Sequence, residues 1–204
     1  MRRLIPLGFV VVLSGCVNSK PSTPGAAETA PPADVEAARQ ARKQAMISEV
    51  LGEMEQMTPF EFDFDVEDVT GKRISKAGFA GKVLVVDFWG TWCRPCLMEL
   101  PHFIALHEKY HDRGLEIVGF NSEGDDENVE ETKTLVREFI EKRGLPYPCA
   151  LLTDEISQQV PDLDSLPTTL FFDRTGELRL RADNYNDLLK LEVVVEQLLK
   201  ENGS

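Results

Sequence analysis

Val83-Leu84-Val85-Val86-Asp87-Phe88-Trp89-Gly90-Thr91-Trp92-Cys93-Arg94-Pro95-Cys96 is the stretch on which the rest of the chain depends. Val83–Phe88 is apolar except at Asp87 and rich in β-branched residues, the pattern of a strand buried on both faces at the centre of a parallel or mixed sheet. Gly90 and Thr91 break the run, and a helical pattern then begins. Pro95 suits a first helical turn, where its missing N–H would have no partner anyway. Cys93 therefore falls where a strand hands over to a helix N-terminus. Unpaired backbone N–H groups and the helix dipole favour an anion there, so its thiol should ionise easily, and Arg94 adds a positive charge. Cys96 lies further into the helix. The pair is expected to form one disulfide with unequal sulfurs, an exposed nucleophile at Cys93 and a sheltered resolving thiol at Cys96.

A Cys-x-x-Cys pair can also be half of a zinc site. Zinc would require two further Cys or His ligands, and the remaining cysteines, Cys16 and Cys149, form no second pair. Redox chemistry is the better reading on that count. The run Val86–Cys96, with Trp-Cys-x-Pro-Cys after a buried strand, resembles the active-site segment of the thioredoxin superfamily. Gly90-Thr91-Trp92-Cys93 and Glu99-Leu100-Pro101 resemble its membrane-tethered TlpA/ResA-like branch of thiol–disulfide oxidoreductases. The resemblance extends from about Phe62 to Leu199. It implies an α/β fold, a thioredoxin-like mixed central sheet flanked by helices, with an added N-terminal β-hairpin.

Composition bounds the rest. The chain has 204 residues, enough for one domain with additions, and 42% hydrophobic residues suffice for an ordinary core. Its formal charge is −13, and losing Arg2 and Arg3 would take this to −15. So acidic a chain argues against nucleic acid and against adhesion to anionic lipid by charge. Arg2 and Arg3, a short apolar run Leu4–Leu13 and Leu13-Ser14-Gly15-Cys16 resemble a bacterial lipoprotein signal, with Cys16 left as the lipidated N-terminus. An ordinary secretory signal is the alternative. Residues 1–16 are thus expected to be a signal, and 17–57 a flexible tether followed by a helix with Asp34 as N-cap. Residues 58–204 are expected to be the catalytic domain, anchored by lipid outside the cytoplasm, where disulfides persist.

Within that domain Phe60, Phe62, Phe64 and Val66 alternate with acids, the period of a half-buried strand, and Thr70-Gly71-Lys72 signals a turn into a return strand. Further strands are predicted at Leu115–Phe120, Cys149–Leu152, Leu170–Phe172 and Glu177–Leu180. Helices are predicted at Arg94–His111, Val129–Lys142 and Asn186–Lys200. His107 and His111, four apart, have no third ligand and read as surface histidines.

Asp87 is a carboxylate in a buried strand, so desolvation should raise its pKa and suit it to proton transfer. The resemblance places it beneath Cys96, where thioredoxins carry an aspartate and the TlpA/ResA-like branch often an asparagine. Glu99 is one turn beyond Cys96 on the same helix face, and the resemblance makes it a group that tunes thiol acidity. The resemblance also makes Pro167 a cis-proline facing the cysteines. Leu166, Pro167 and Thr168 would then bind an extended client peptide beside Trp92, with Arg94 and Pro95 tuning the redox poise. Together these imply an extracytoplasmic thiol–disulfide oxidoreductase needing no cofactor or metal beyond the Cys93–Cys96 disulfide. It would act on protein disulfides, cytochrome c apoprotein among them, and draw electrons from a membrane thiol carrier. Two rivals are a peroxiredoxin-like peroxide reductase and a metal-delivery module. That first branch carries Thr three residues before its cysteine, where this chain has Gly90.

Overall fold

In a computed structural model, residues 33–124 and 128–201 are described. In chain order the elements are helix α1 (Ala33–Gln56), strands β1 (Asp65–Glu67), β2 (Arg73–Ser75) and β3 (Val83–Trp89), and helix α2 (Arg94–Tyr110). Strand β4 (Leu115–Asn121), helix α3 (Val129–Arg143), strand β5 (Cys149–Leu151) and the single turn α4 (Asp154–Ser157) follow. Strands β6 (Thr168–Phe172) and β7 (Leu178–Asp183) and helix α5 (Leu188–Lys200) complete the fold. The expected signal 1–16, with Cys16, and the tether up to residue 32 lie outside the described residues.

All seven residues of β3 are buried. It is the middle strand of a five-stranded sheet in the order β5-β4-β3-β6-β7. Strands β3, β4 and β5 run parallel, β6 runs antiparallel to β3, and β7 runs antiparallel to β6. Side chains alternate across the pleat. Val83, Val85 and Trp89 enter one core with residues of α1, α2, α3 and α5, and Leu84, Val86 and Phe88 enter the other. Asp87 shares the parity of the first set, the side on which Cys93 and Cys96 also pack.

Two expectations need correction. The run Phe60–Val66 is a strand only from Asp65 onward. Phe62 and Phe64 are buried, as the alternation requires, by ring contact with Phe88, Phe120 and Phe172, and the Phe64 carbonyl accepts the Lys76 N–H at 2.9 Å. Asp34 is not an N-cap, because α1 already begins at Ala33. Helix α1 packs on the domain. Val50 is fully buried, with Met46, Ile47 and Met54 packed on the same core, and Lys43–Glu196, Lys190–Glu53 and Arg42–Asp187 pairs tie the helix to α5 and its N-cap.

Candidate active site

The strand-to-helix junction holds the cysteines as the sequence requires. Cys93 is the N-cap of α2, and its Sγ accepts the Cys96 N–H at 3.3 Å. Pro95 sits in the first turn, and Arg94 and Pro95 are exposed. A disulfide joins Cys93 to Cys96. Cys93 is less open than expected: it is 4% exposed against 1% for Cys96. In this oxidised state both sulfurs belong to the core that also holds Trp89 and Leu100. Trp92, next to Cys93, is 66% exposed, and its indole lies so close over Gly90 that a Cβ there would meet it at 2.9 Å.

The turn before Cys93 is held from the neighbouring strand, a feature the sequence did not disclose. Both the N–H and the hydroxyl of Thr91 donate to the Glu123 carboxylate, and the Glu123 N–H donates to Asn121 Oδ1. Glu123 stands just past β4 in a stretch that reads only as an acidic loop.

On the cysteine side of the sheet lies a buried polar cluster. Asp87 is 1% exposed, and its Oδ1 has no hydrogen-bond partner among the described residues. Burial, with Glu99 adding like charge, pushes its carboxyl well above the usual range. Thr169 faces it across β6, its hydroxyl equally unpartnered. On the other side its neighbour is Gly119. A Cβ at Gly119 would meet Cys149 Sγ and Trp89 Nε1 at 2.8 Å each, so the glycine leaves room for both. Burial pushes the Cys149 thiol and the Tyr147 hydroxyl upward as well.

Glu99 is fully buried on α2. Its Oε1 accepts the Asn186 N–H at 3.1 Å, while Oε2 has no partner among the described residues. Desolvation raises its pKa from 4.5 to about 7, against the pull of Asn186. Asn186 comes from the segment between β7 and α5, 87 residues away, and no local pattern in the sequence announces it.

The Leu166–Pro167 peptide bond is cis. Pro167 and Thr168 are buried, and Leu166 is half-buried against both cores. The Pro167 carbonyl accepts the Asn184 N–H at 2.8 Å. The Thr168 hydroxyl lies 3.0 Å from both Ser165 O and Asp183 Oδ1, so its side chain is committed inward, and its backbone lies within the sheet between Phe88 of β3 and Asp183 of β7. Leu166 makes no backbone hydrogen bond among the described residues. A cleft of about 770 Å³ runs from Trp92 to Leu163, Asp164, Ser165 and Leu166. A second, of about 450 Å³, lies between Trp92, Glu123 and Leu135. The exposed indole thus stands between two grooves.

The AhpC/TSA family matches residues 57–181. The thiol–disulfide oxidoreductase ResA of Bacillus subtilis is 34% identical over 116 residues, 57% of this chain and 61% of that protein. ResA of Geobacillus kaustophilus is 32% identical over 117 residues, 57% of this chain and 63% of its own length. The chain therefore spans about three fifths of these relatives. Among solved structures, a thiol:disulfide interchange protein of the thioredoxin family from Chlorobium tepidum superposes with a TM-score of 0.62 at 23% identity, covering 71% of this chain and 99% of that one. A DsbF homologue from Corynebacterium diphtheriae gives 0.60 at 24% identity, covering 71% and 88%. Both likenesses bear on the fold, which is thioredoxin-like.

Proposed function

Given that the chain belongs to the AhpC/TSA family, we propose that it is a thiol–disulfide oxidoreductase that exchanges a Cys93–Cys96 dithiol with disulfides of protein clients. The observation that carries this reading is the disulfide itself, with Cys93 at a helix N-terminus and two buried carboxyl groups, Asp87 and Glu99, on its side of the sheet. In the reduced protein the Cys93 thiolate attacks one sulfur of a client disulfide. The client S–S bond breaks, a mixed disulfide forms, and one client thiolate leaves. Cys96 then gives up its proton to Asp87 and attacks Cys93 Sγ. The second client sulfur departs as a thiolate, two electrons have passed to the client, and the Cys93–Cys96 bond remains.

Asp87 suits the second step because a carboxylate forced into an apolar core is a stronger base than one in water. Glu99, with a pKa of about 7, tunes the same charge balance. An extended client segment would pair with the free backbone of Leu166 beside Pro167 and lay side chains into the clefts flanking Trp92. Arg94 and Pro95 set the redox poise. We further propose lipid attachment at Cys16, a site outside the cytoplasm, a membrane thiol carrier as electron donor, and apocytochrome c among the clients. The anchor and the placement rest on the signal-like N-terminus, and the carrier and the client on the resemblance of Gly90–Cys93 and Glu99–Pro101 to the TlpA/ResA-like branch.

Replacing Cys96 by Ser and recovering mixed disulfides from the native cell tests the mechanism and names the clients together. Clients held through Cys93 and released by dithiothreitol are expected. Insulin reduction that survives Cys93→Ala would end the proposal.

A further inference from the structure

From the end of β7 to α5 the chain passes through Asp183-Asn184-Tyr185-Asn186-Asp187, five residues that reach both the cis-proline turn and Glu99. Asn184 has φ +64°, in the left-handed region. Only glycine enters that region freely, and asparagine at modest cost. The Asn184 N–H donates to the Pro167 carbonyl at 2.8 Å. Two residues on, the Asn186 N–H donates to Glu99 Oε1 at 3.1 Å. The Asn186 side chain closes the segment on itself by donating from Nδ2 to the Asn184 carbonyl at 2.8 Å.

Both flanks are fixed. Asp183 Oδ1 lies 3.0 Å from the Thr168 hydroxyl and 2.9 Å from Arg181 Nε. The Asp187 carboxylate caps α5 through the Lys190 N–H at 2.9 Å and pairs with Arg42 of α1 at 2.9 Å. The Tyr185 ring lies 5.8 Å from that of His102 on α2. A helix, a strand and the cis-proline turn thus converge on one left-handed residue.

We propose that Asn184 and Asn186 form a positioning element that sets the Glu99 carboxyl and the Leu166–Pro167 turn together, so that neither wall of the redox site moves without the other. The backbone reversal at Asn184 directs one N–H to the turn and leaves the next-but-one N–H for Glu99. A β-branched residue is strained at that φ and glycine is not, so the element is open to graded perturbation. The other groups facing Glu99 are Asp87 from β3 and Tyr147 from the segment before β5, with Cys96 one turn earlier on its own helix. The substitutions below leave all three in place.

The proposal rests on Glu99 belonging to the redox site, yet its test needs no turnover. The Glu99 carboxyl is titrated by 13C NMR in the oxidised full chain, and the Pro167 ring carbons are followed in the same samples. In Asn184→Val the hydrogen bond that favours ionised Glu99 is loosened. Its midpoint is expected to rise by about half a pH unit to one unit, the scale of one modest hydrogen bond, and the Pro167 signals should move with it. Asn184→Gly is expected to keep the parental midpoint. If Asn184→Val does not fold, Asn184→Ala, less strained at the same φ, carries the same test with a smaller upward shift. A folded variant whose Glu99 midpoint stays put, or moves while Pro167 does not, overturns the proposal. So does an equal shift in Asn184→Gly. A chain that reduces no client while Asn184→Val still moves both signals would sink the oxidoreductase reading and leave the positioning role standing.

Discussion

Asp87 and Thr169 stand opposite each other across the antiparallel β3–β6 pair, and an Asp87 carboxyl oxygen and the Thr169 hydroxyl are both buried without a partner among the described residues. Buried polar atoms are rarely left so, and here they lie on the sheet face against which the disulfide packs. The cost of leaving them unpaired falls on the folded state. What the arrangement supplies is a carboxyl group that burial lifts well above the usual carboxylate range, and so a stronger base when ionised, on the same side of the sheet as the thiol that must lose its proton.

Asp87→Asn should therefore stabilise the fold at neutral pH while slowing the resolving step. Asp87 has a raised pKa, so its contribution to stability is complete below the ordinary carboxylate range and is lost as pH rises toward the folded value. Relative to the parent, Asp87→Asn is expected to gain up to about 1.4 kcal/mol per pH unit above about pH 4, read by urea denaturation at several pH values. Release of client from the mixed disulfide should slow on the order of 100-fold at pH 7. A variant with unchanged release kinetics would remove Asp87 from the mechanism.

Glu99→Gln gives a narrower signature. Glu99 titrates at about 7 instead of 4.5, so the stability its protonated form provides is full below about pH 4.5 and gone above about 7. The whole span is worth roughly 3 kcal/mol. In Glu99→Gln the stability curve should lose that slope between those limits, and the pH profile of disulfide exchange should lose its step near 7. A slope that persists would assign it to another group.

The central strand, the helix start at Cys93 and the acid at position 87 were legible because each is a local pattern: an apolar run, a proline in a first turn, one charge among hydrophobes. What stayed hidden is carried by contacts between distant residues. Asn186 reaches Glu99 and Glu123 reaches Thr91 through hydrogen bonds that leave no periodic trace. The Phe60–Val66 alternation reported burial correctly and strand pairing incorrectly, because ring packing against Phe88 and Phe172 imposes the same period of two. A place at a helix end implies an exposed Cys93, whereas in the oxidised state its sulfur packs with the core.

Helix α1 offers a test of whether the N-terminal segment swings or docks. Val50 is fully buried, whereas the Arg42–Asp187 pair is largely exposed. Val50→Ala is expected to cost roughly 1–3 kcal/mol, and Arg42→Ala less than about 1 kcal/mol, both by urea denaturation. Equal, negligible effects would mean that the helix is not docked in solution.

Gly119→Ala probes the polar cluster without touching a titratable group. The added methyl would stand 2.8 Å from both Cys149 Sγ and Trp89 Nε1, and neither is an exposed side-chain end that can step aside. Overpacking of this kind costs about 1–3 kcal/mol, measured as a lower urea midpoint at unchanged slope. Because one of the two clashes is with the sulfur, the second substitution Cys149→Ala should recover part of that loss in the Gly119→Ala background. On its own Cys149→Ala should only destabilise, by leaving a void. The coupling between the two therefore has a sign, and purely additive effects would show that the thiol does not occupy the space the missing side chain leaves free.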